Sequence, residues 1–241
     1  MQVQDVKDLD TAQKGGIKMK VVVLLSGGLD SGVMTAFLKR DILPATCKIY
    51  ALSFDYGQRH NKELDCARKL AKKLHINHKI VQMPQLKELL VSSLTGHGEI
   101  PMGEYDEKTQ RSTTVPNRNM ILLSMAAGYA QSIGASHLFY AAHTNDTRVY
   151  PDCRLEFVKA LDTAIYLATI DQPVELHAPF KSWTKADIVA WGLEHDFPFE
   201  LTWSCYMGKE KACGRCGTCR ERLEAFKANG AKDPIKYEVT T

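Results

Sequence analysis

The chain has 241 residues, 44% of them hydrophobic, with 31 basic against 28 acidic residues and a formal net charge of +3. That length suits one α/β domain with an appendage and leaves no room for a second large domain. The near balance of charge creates no strong field toward a large polyanion, so a small-molecule substrate is expected rather than stable binding to nucleic acid. No segment has the apolar length of a transmembrane helix and residues 1–8 lack the apolar core of a signal peptide, which predicts a cytoplasmic protein away from the membrane.

Residues 1–19 are polar, mixed in charge and carry Gly15-Gly16, and are expected to be a flexible N-terminal extension. The apolar run Val21-Val22-Val23-Leu24-Leu25 then reads as a buried strand that ends at Ser26-Gly27-Gly28-Leu29-Asp30-Ser31, with a helix expected over residues 31–40. Such a turn suits phosphate. Glycines permit positive φ and remove the Cβ atoms that keep an anion away, and the first turn of the helix adds N–H groups and the positive end of its dipole. Ser26 and Ser31 can donate hydroxyl protons to the same oxygens, whereas Asp30 is too anionic to face bare phosphate and is better suited to work through Mg²⁺. The bland alternative is a glycine-rich turn capped by serine. The loop lacks the Gly-Lys-Ser/Thr ending of the Walker pattern and the three spaced glycines of the dinucleotide fingerprint.

Strands are next expected at residues 48–54 and 78–82, separated by a helix over about 61–74 whose Leu64, Ala67, Leu70, Ala71 and Leu74 share one face. Residues 84–114 look irregular, and a stretch that long inside a small domain suggests a flap over the site. Pro116-Asn117-Arg118-Asn119 opens an apolar helix to about residue 133, followed by a strand at 137–142, a helix over about 155–169 and a short strand at 174–179. Thr184-x-x-Asp187 has the pattern of a capping box for a helix to about residue 195. The alternation predicts a parallel five-stranded sheet with helices on both faces, and ligands at the carboxyl ends of its strands. Those ends carry Ser26 to Ser31, Asp55 to His60 and His143 to Asp146.

Cys205, Cys213, Cys216 and Cys219 form C-x7-C-x2-C-x2-C with Gly214 and Gly217 inside the tight part. Two-residue spacers let neighbouring thiolates reach one ion, and four soft ligands favour a closed structural Zn²⁺ site over a catalytic one; a [4Fe–4S] cluster is the competing occupant. Lys209, Lys211, Arg215, Arg220 and Arg222 flank the set, either for contact with nucleic acid or to offset the thiolate charge. Cys47, Cys66 and Cys153 fit buried apolar positions better than nucleophiles. The expected organisation is an α/β domain over residues 20–182 and a C-terminal helical zinc-binding segment over 183–241.

The SGGxDS loop resembles that of the PP-loop ATP pyrophosphatases. With Phe54-Asp55-Tyr56-Gly57-Gln58-Arg59-His60, Val115 to Asn119, Tyr150-Pro151-Asp152-Cys153-Arg154, Trp203-Ser204-Cys205-Tyr206 and the cysteine set, the chain is similar, from about Lys20 to Arg222, to the 7-cyano-7-deazaguanine synthases of that superfamily. The departures are the first 19 residues and the loosely spaced Lys181-Ser182-Trp183-Thr184-Lys185. The resemblance implies an adenine nucleotide alpha hydrolase-like fold. It implies a C–N bond-forming ligase that converts 7-carboxy-7-deazaguanine and ammonia to the nitrile with ATP and Mg²⁺ through an adenylate, on the path to queuosine, as a zinc-containing homodimer. Leu25, Ser26, Gly27, Gly28, Leu29, Asp30, Ser31, Gly32, Val33, Met34 and Thr35 would trace the ATP loop. Ser26, Asp30, Ser31 and Arg118 would be catalytic, with Lys181 or Lys185 neutralising phosphate charge, and Arg118, Asn119, Asp146, Asp152 and Arg154 would hold the substrate. His60 and His143 are proton carriers or hydrogen-bonded structural residues. Two alternatives stay open: a PP-loop tRNA-modifying enzyme that adenylates a base, separable by a gel shift with tRNA, and a non-enzymatic zinc-knuckle module, which would release no AMP.

Overall fold

Three successive valines, Val21, Val22 and Val23, are each 0% exposed, a burial that only a strand covered on both faces allows. The computed structural model describes residues 19–58, 61–96, 98–103, 112–169 and 171–238, so the expected N-terminal extension lies outside the described residues. In it β1 (Lys20–Leu24) is the middle strand of a five-stranded sheet in the order β3-β2-β1-β4-β5, with β2 Lys48–Asp55, β3 Asn77–Gln82, β4 His137–Phe139 and β5 Glu175–His177. All four strand pairings are parallel.

The side chains of β1 alternate between two cores. Val21 and Val23 pack with α1 (Leu29–Phe37), with Ala67 and Leu70 of α2 (Lys62–Lys73), with Ile188 and Val189 of α7 (Lys185–Glu194) and with Ala225 and Phe226 of α8 (Gly217–Ala228). Val22 packs on the other face with Leu123 and Ala126 of α4 (Arg118–Ile133) and Leu161 and Ile165 of α6 (Leu155–Leu167). Two short α-helices, α3 (Leu86–Leu89) and α5 (Thr144–Val149), complete the described α-helices, and a π-helical turn at Leu38–Ile42 continues α1. Each fully buried aliphatic side chain contributes roughly 1.5–3 kcal/mol, so covering both faces with Val, Leu and Ile is what holds the layers together.

The five strands and main helices follow the predicted order, with shifted ends. Helix α1 begins at Leu29 instead of residue 31, because Gly28, extended at φ −74° and ψ 166°, occupies the N-cap without a side-chain hydrogen bond. Strands β4 and β5 are three residues each, shorter than expected, although the Tyr140 amide still donates to the His177 carbonyl. The predicted capping box is present: Thr184 Oγ1 accepts from the Asp187 amide at 3.2 Å and Asp187 Oδ2 accepts from the Thr184 amide at 2.7 Å. Within the irregular stretch, α3 and a 3-10 turn at Ser93–Thr95 form; the expected flap falls partly on residues 104–111, outside the described residues.

α7 packs on α1 and α8 on α7, so the C-terminal segment shares the core on this face of the sheet. Its anchor is Arg222, 1% exposed, whose Nε and Nη2 donate to Asp233 at 2.6 and 3.0 Å, while Nη1 donates to Thr202 Oγ1 at 2.6 Å and Nη2 also to the Phe199 carbonyl at 3.1 Å. Tyr237 donates to the same aspartate at 2.6 Å. Arg222 is therefore a buried strut, not one of the surface cations around the cysteines that the sequence suggested.

Candidate active site

In this strand order β1 lies between β2, which leads outward to β3, and β4, which leads outward to β5. A crevice therefore opens beyond its carboxyl end, and the Ser26–Ser31 loop fills it. The loop is braced from within: the Ser26 amide donates to Ser31 Oγ at 3.1 Å, the two hydroxyls are 2.9 Å apart, and the Gly28 amide donates to Ser26 Oγ at 3.1 Å. Gly27 is the obligatory glycine. Its φ is +88°, and a Cβ there would lie 1.9 Å from the carbonyl oxygen of Glu63. Its own carbonyl accepts from the Trp203 amide at 3.0 Å, so the cysteine segment grips the loop from the far side.

The loop borders a cavity of about 270 Å³ lined by Leu25, Ser26, Gly28, Leu29, Asp30 and Ser31, by Arg118, Asn119 and Asp146, and by Lys185. Its remaining wall includes Phe54, Tyr56, Glu63, Tyr140, Tyr150, Trp203, Tyr206 and Glu221.

Two charged groups face this space. In the first, Asp30 Oδ2 lies 3.4 Å from Lys185 Nζ and 3.6 Å from His143 Nε2, and Lys185 Nζ lies 3.2 Å from Glu221 Oε2. Burial alone would raise the Asp30 carboxyl, but Lys185 and His143 outweigh it and hold the group below the usual carboxylate range. His143, 0% exposed, sits behind the wall, 3.3 Å from Asp146 Oδ2. Burial disfavours its charge, yet Asp30 and Asp146 win and raise its pKa, while burial raises that of Asp146. Asp30 Oδ1, Tyr140 Oη and both His143 nitrogens are buried without a hydrogen-bond partner among the described residues. An orphaned carboxylate oxygen beside a phosphate-type loop is a suitable ligand for a hard divalent cation.

In the second group Arg118, at the start of α4, interacts with Tyr56, Tyr150 and Tyr206 and with Glu63. Burial lifts the Glu63 carboxyl from its ordinary 4.5 to about 7, against the pull of Arg118. A cation, a carboxyl and three phenol rings beside a second, anion-seeking end suit a planar heterocycle carrying both donors and an acid group.

Several expected site residues stand elsewhere. Val33 and Met34 are core residues, Gly32 packs under Phe197 and Leu70, and Thr35 bonds back to the Ser31 carbonyl at 2.7 Å, so only the first half of the expected ATP stretch lines the cavity. Asp152 Oδ2 accepts from the Asn119 amide at 3.1 Å, fixing the start of α4. The exposed Arg154 donates to the Thr147 carbonyl at 3.2 Å. Lys181 is not among the lining residues; Lys185, 8% exposed, supplies the cation there. His60 and Arg59 lie outside the described residues. Glu63, Tyr140 and Glu221 had no signal in the sequence, because each reaches the cavity only through tertiary packing, Glu63 on α2, Glu221 on α8 and Tyr140 just after β4.

The four cysteines converge as expected. All are buried to 1% exposure or less and their Sγ atoms lie within 4.8 Å of one another. Gly208 and Gly214 take positive φ, 62° and 71°, and the amides of Met207, Cys213, Arg215 and Cys216 point at Cys205 or Cys213 Sγ at 3.3–3.4 Å. Backbone N–H groups aimed at sulfur stabilise thiolates, which makes this the donor set of a closed metal centre. Burial pushes the Cys47 thiol up to about 11 and raises Cys66 and Cys153 as well, so these three are neutral packing residues at neutral pH.

Of solved structures, NMN synthetase from Francisella tularensis superposes with a TM-score of 0.54 at 14% identity, covering 95% of this chain and 85% of that one, a likeness of fold. The 7-cyano-7-deazaguanine synthase of Archaeoglobus fulgidus is 54% identical over 218 residues, 90% of each chain. That of Caldicellulosiruptor bescii is 50% identical over 222 residues, 92% of this chain and 98% of its own. Residues 20–230 match the family described as queuosine biosynthesis protein QueC, so loop, cavity and cysteine centre all fall inside the matched region, and the chain belongs to that family.

Proposed function

We propose that this enzyme converts 7-carboxy-7-deazaguanine and ammonia to 7-cyano-7-deazaguanine at the expense of ATP, with the cavity between the Ser26–Ser31 loop and the Glu63–Arg118 pair as its site. The observation that carries it is the joining of two unlike ends in one cavity: a serine-glycine loop with a buried Asp30–Lys185 pair, and an Arg118–Glu63 pair among tyrosines.

Ser26, Gly28 and Ser31 hold the pyrophosphate of ATP through hydroxyls and amides, and Lys185 offsets its charge. Asp30 would hold Mg²⁺, whose charge neutralises the phosphates. Arg118 and Asn119 hold the substrate carboxylate toward the α-phosphorus. Glu63, when ionised, accepts hydrogen bonds from the guanine-like edge while Tyr56, Tyr150 and Tyr206 enclose the ring. A carboxylate oxygen attacks the α-phosphorus and pyrophosphate leaves, which converts a poor leaving oxygen into AMP. Ammonia then attacks the acyl carbon, AMP departs and one proton is released; Asp146, with His143 behind it, takes that proton. Activation of the amide oxygen by a second adenylyl transfer, followed by loss of AMP and the remaining nitrogen protons, gives the nitrile. The same loop serves both transfers, since the reacting oxygen occupies the same place in each.

The cysteine centre would hold Zn²⁺ as a structural ion: Cys205, Cys213, Cys216 and Cys219 supply a closed set of four sulfurs, and the ion would hold the neighbouring Ser204, Tyr206 and Thr218 at the cavity wall. A homodimer fits the exposed apolar side chains of α4 and α6, where Met120, Met125 and Tyr166 are 47%, 40% and 62% exposed. The experiment is incubation with 7-carboxy-7-deazaguanine, ATP, Mg²⁺ and ammonium followed by mass analysis. Amide and nitrile with AMP are the expected products; a folded, zinc-loaded protein that forms neither overturns the proposal.

A further inference from the structure

On the sheet face away from α4 and α6, at the β4–β5 edge, two imidazoles meet where neighbouring β1 carries Val21 and Val23. His137 and His177, 7% and 5% exposed, stand on the same face as Phe139, and His177 stacks on that ring at 4.8 Å between centroids. His137 Nδ1 lies 3.0 Å from His177 Nε2. Glu175, paired with His137 across the two strands and 54% exposed at its side chain, brings Oε2 to 3.8 Å from the first nitrogen and 3.7 Å from the second.

These three atoms form a nearly isosceles triangle, and the point in its plane equidistant from them is about 2 Å from each, which is the length of a Zn–N or Zn–O bond, roughly 2.0–2.2 Å. We infer that His137, Glu175 and His177 form a second metal site, separate from the four cysteines, that takes one divalent transition-metal ion of intermediate softness. Two nitrogens and one carboxylate oxygen suit Zn²⁺, Co²⁺ or Ni²⁺ over Ca²⁺ or Mg²⁺. The exposed side of Glu175 leaves solvent to complete the coordination shell.

Two further observations favour a cation. His137 Nδ1 and His177 Nε2 face each other within hydrogen-bonding distance, so one of the two already presents a lone pair. Binding then needs only a change of tautomer, with the proton between the rings moved to an outer nitrogen. The carboxylate of Asp162, which accepts from the Leu176 amide at 2.7 Å, adds negative charge near Glu175. An ion here would tie the three-residue edge strand β5 to β4 through side chains of both, a stabilising link at the least extensively paired edge of the sheet.

The test uses the full chain with its cysteine centre loaded with zinc, dialysed against Co²⁺, with both metals counted and the absorption spectrum recorded. The expected result is about one cobalt per chain beyond the zinc, with weak ligand-field bands and no thiolate-to-cobalt charge-transfer band. His177→Ala should lose the cobalt. Glu175→Gln, at a half-exposed position that should not disturb folding, should weaken binding about tenfold or more while leaving zinc unchanged. Added Co²⁺ should raise the melting temperature of the parent but not of His177→Ala. The inference is overturned if the parent retains no second ion, if His177→Ala and Glu175→Gln bind it as the parent does, or if the cobalt displaces zinc and shows the charge-transfer band.

Discussion

The Trp203 amide donates at 3.0 Å to the carbonyl of Gly27, so the strand of chain that leads into the cysteine centre is pinned to the tightest point of the loop. Lys62 adds to this clasp, its ammonium 3.4 Å from the Trp203 ring centroid and 2.8 Å from the Lys209 carbonyl. Loosening the cysteine centre should therefore loosen the loop. Removal of its metal with a chelator is expected to lower AMP formation at least about tenfold with little change in far-UV circular dichroism, because positioning of the site is lost before the sheet is. Re-added zinc should restore the rate; full activity in metal-free protein would contradict the link.

Two glycines should respond in opposite ways to the same change. Gly27→Ala forces a Cβ against the Glu63 carbonyl in a left-handed backbone and should cost about 2–4 kcal/mol with loss of AMP formation. Gly128, inside α4, has nothing within 4 Å of a built Cβ, so Gly128→Ala should stabilise by about 0.5–1 kcal/mol. Thermal or urea denaturation of the two variants checks both signs.

The two lysines that the sequence could not separate are distinguished by burial. Lys185 is 8% exposed and 3.4 Å from Asp30, whereas Lys181 is absent from the cavity wall. Lys185→Ala should reduce AMP formation about 100-fold or more, and Lys181→Ala less than about threefold. Removing Lys185 also leaves the buried Asp30 carboxylate with only His143 against it, so the variant should be less stable than the parent.

What the sequence made legible follows from range. The Val21–Leu25 run, the Ser-Gly-Gly turn and the cysteine spacing are local patterns whose physics acts within a few residues, and each forms where expected. Arg118, Asn119 and Asp146 sit at strand or helix ends and arrive at the rim with their elements. Glu63 and Glu221 are different: they are ordinary polar residues on helices, and only the docking of α2 on β2 and β3 and of α8 on α7 turns them into cavity walls. Asp152 and Arg154 show the converse. They lie in a motif next to the site, but their polar atoms are engaged with the Asn119 amide and the Thr147 carbonyl.

Glu63 gives the clearest dependence on pH. Its carboxyl is raised to about 7 by burial, with Arg118 opposing, so the group changes charge across the neutral range. If the ionised form accepts hydrogen bonds from the guanine-like edge, kcat/KM for the carboxylate substrate should rise as pH passes upward through about 7 and level off above it. Stability of the free protein should move the other way. The folded state holds this proton more tightly than the unfolded chain, so stability contributed by Glu63 falls as pH climbs from its ordinary 4.5 to about 7 and is constant beyond. Glu63→Gln should abolish both limbs, raising KM for the deazaguanine about 10- to 100-fold while leaving KM for ATP within about threefold, because only the base end of the cavity is altered. A Gln variant that keeps the parent pH profile would remove Glu63 from substrate recognition and leave Asp146 as the carboxylate that reads the base.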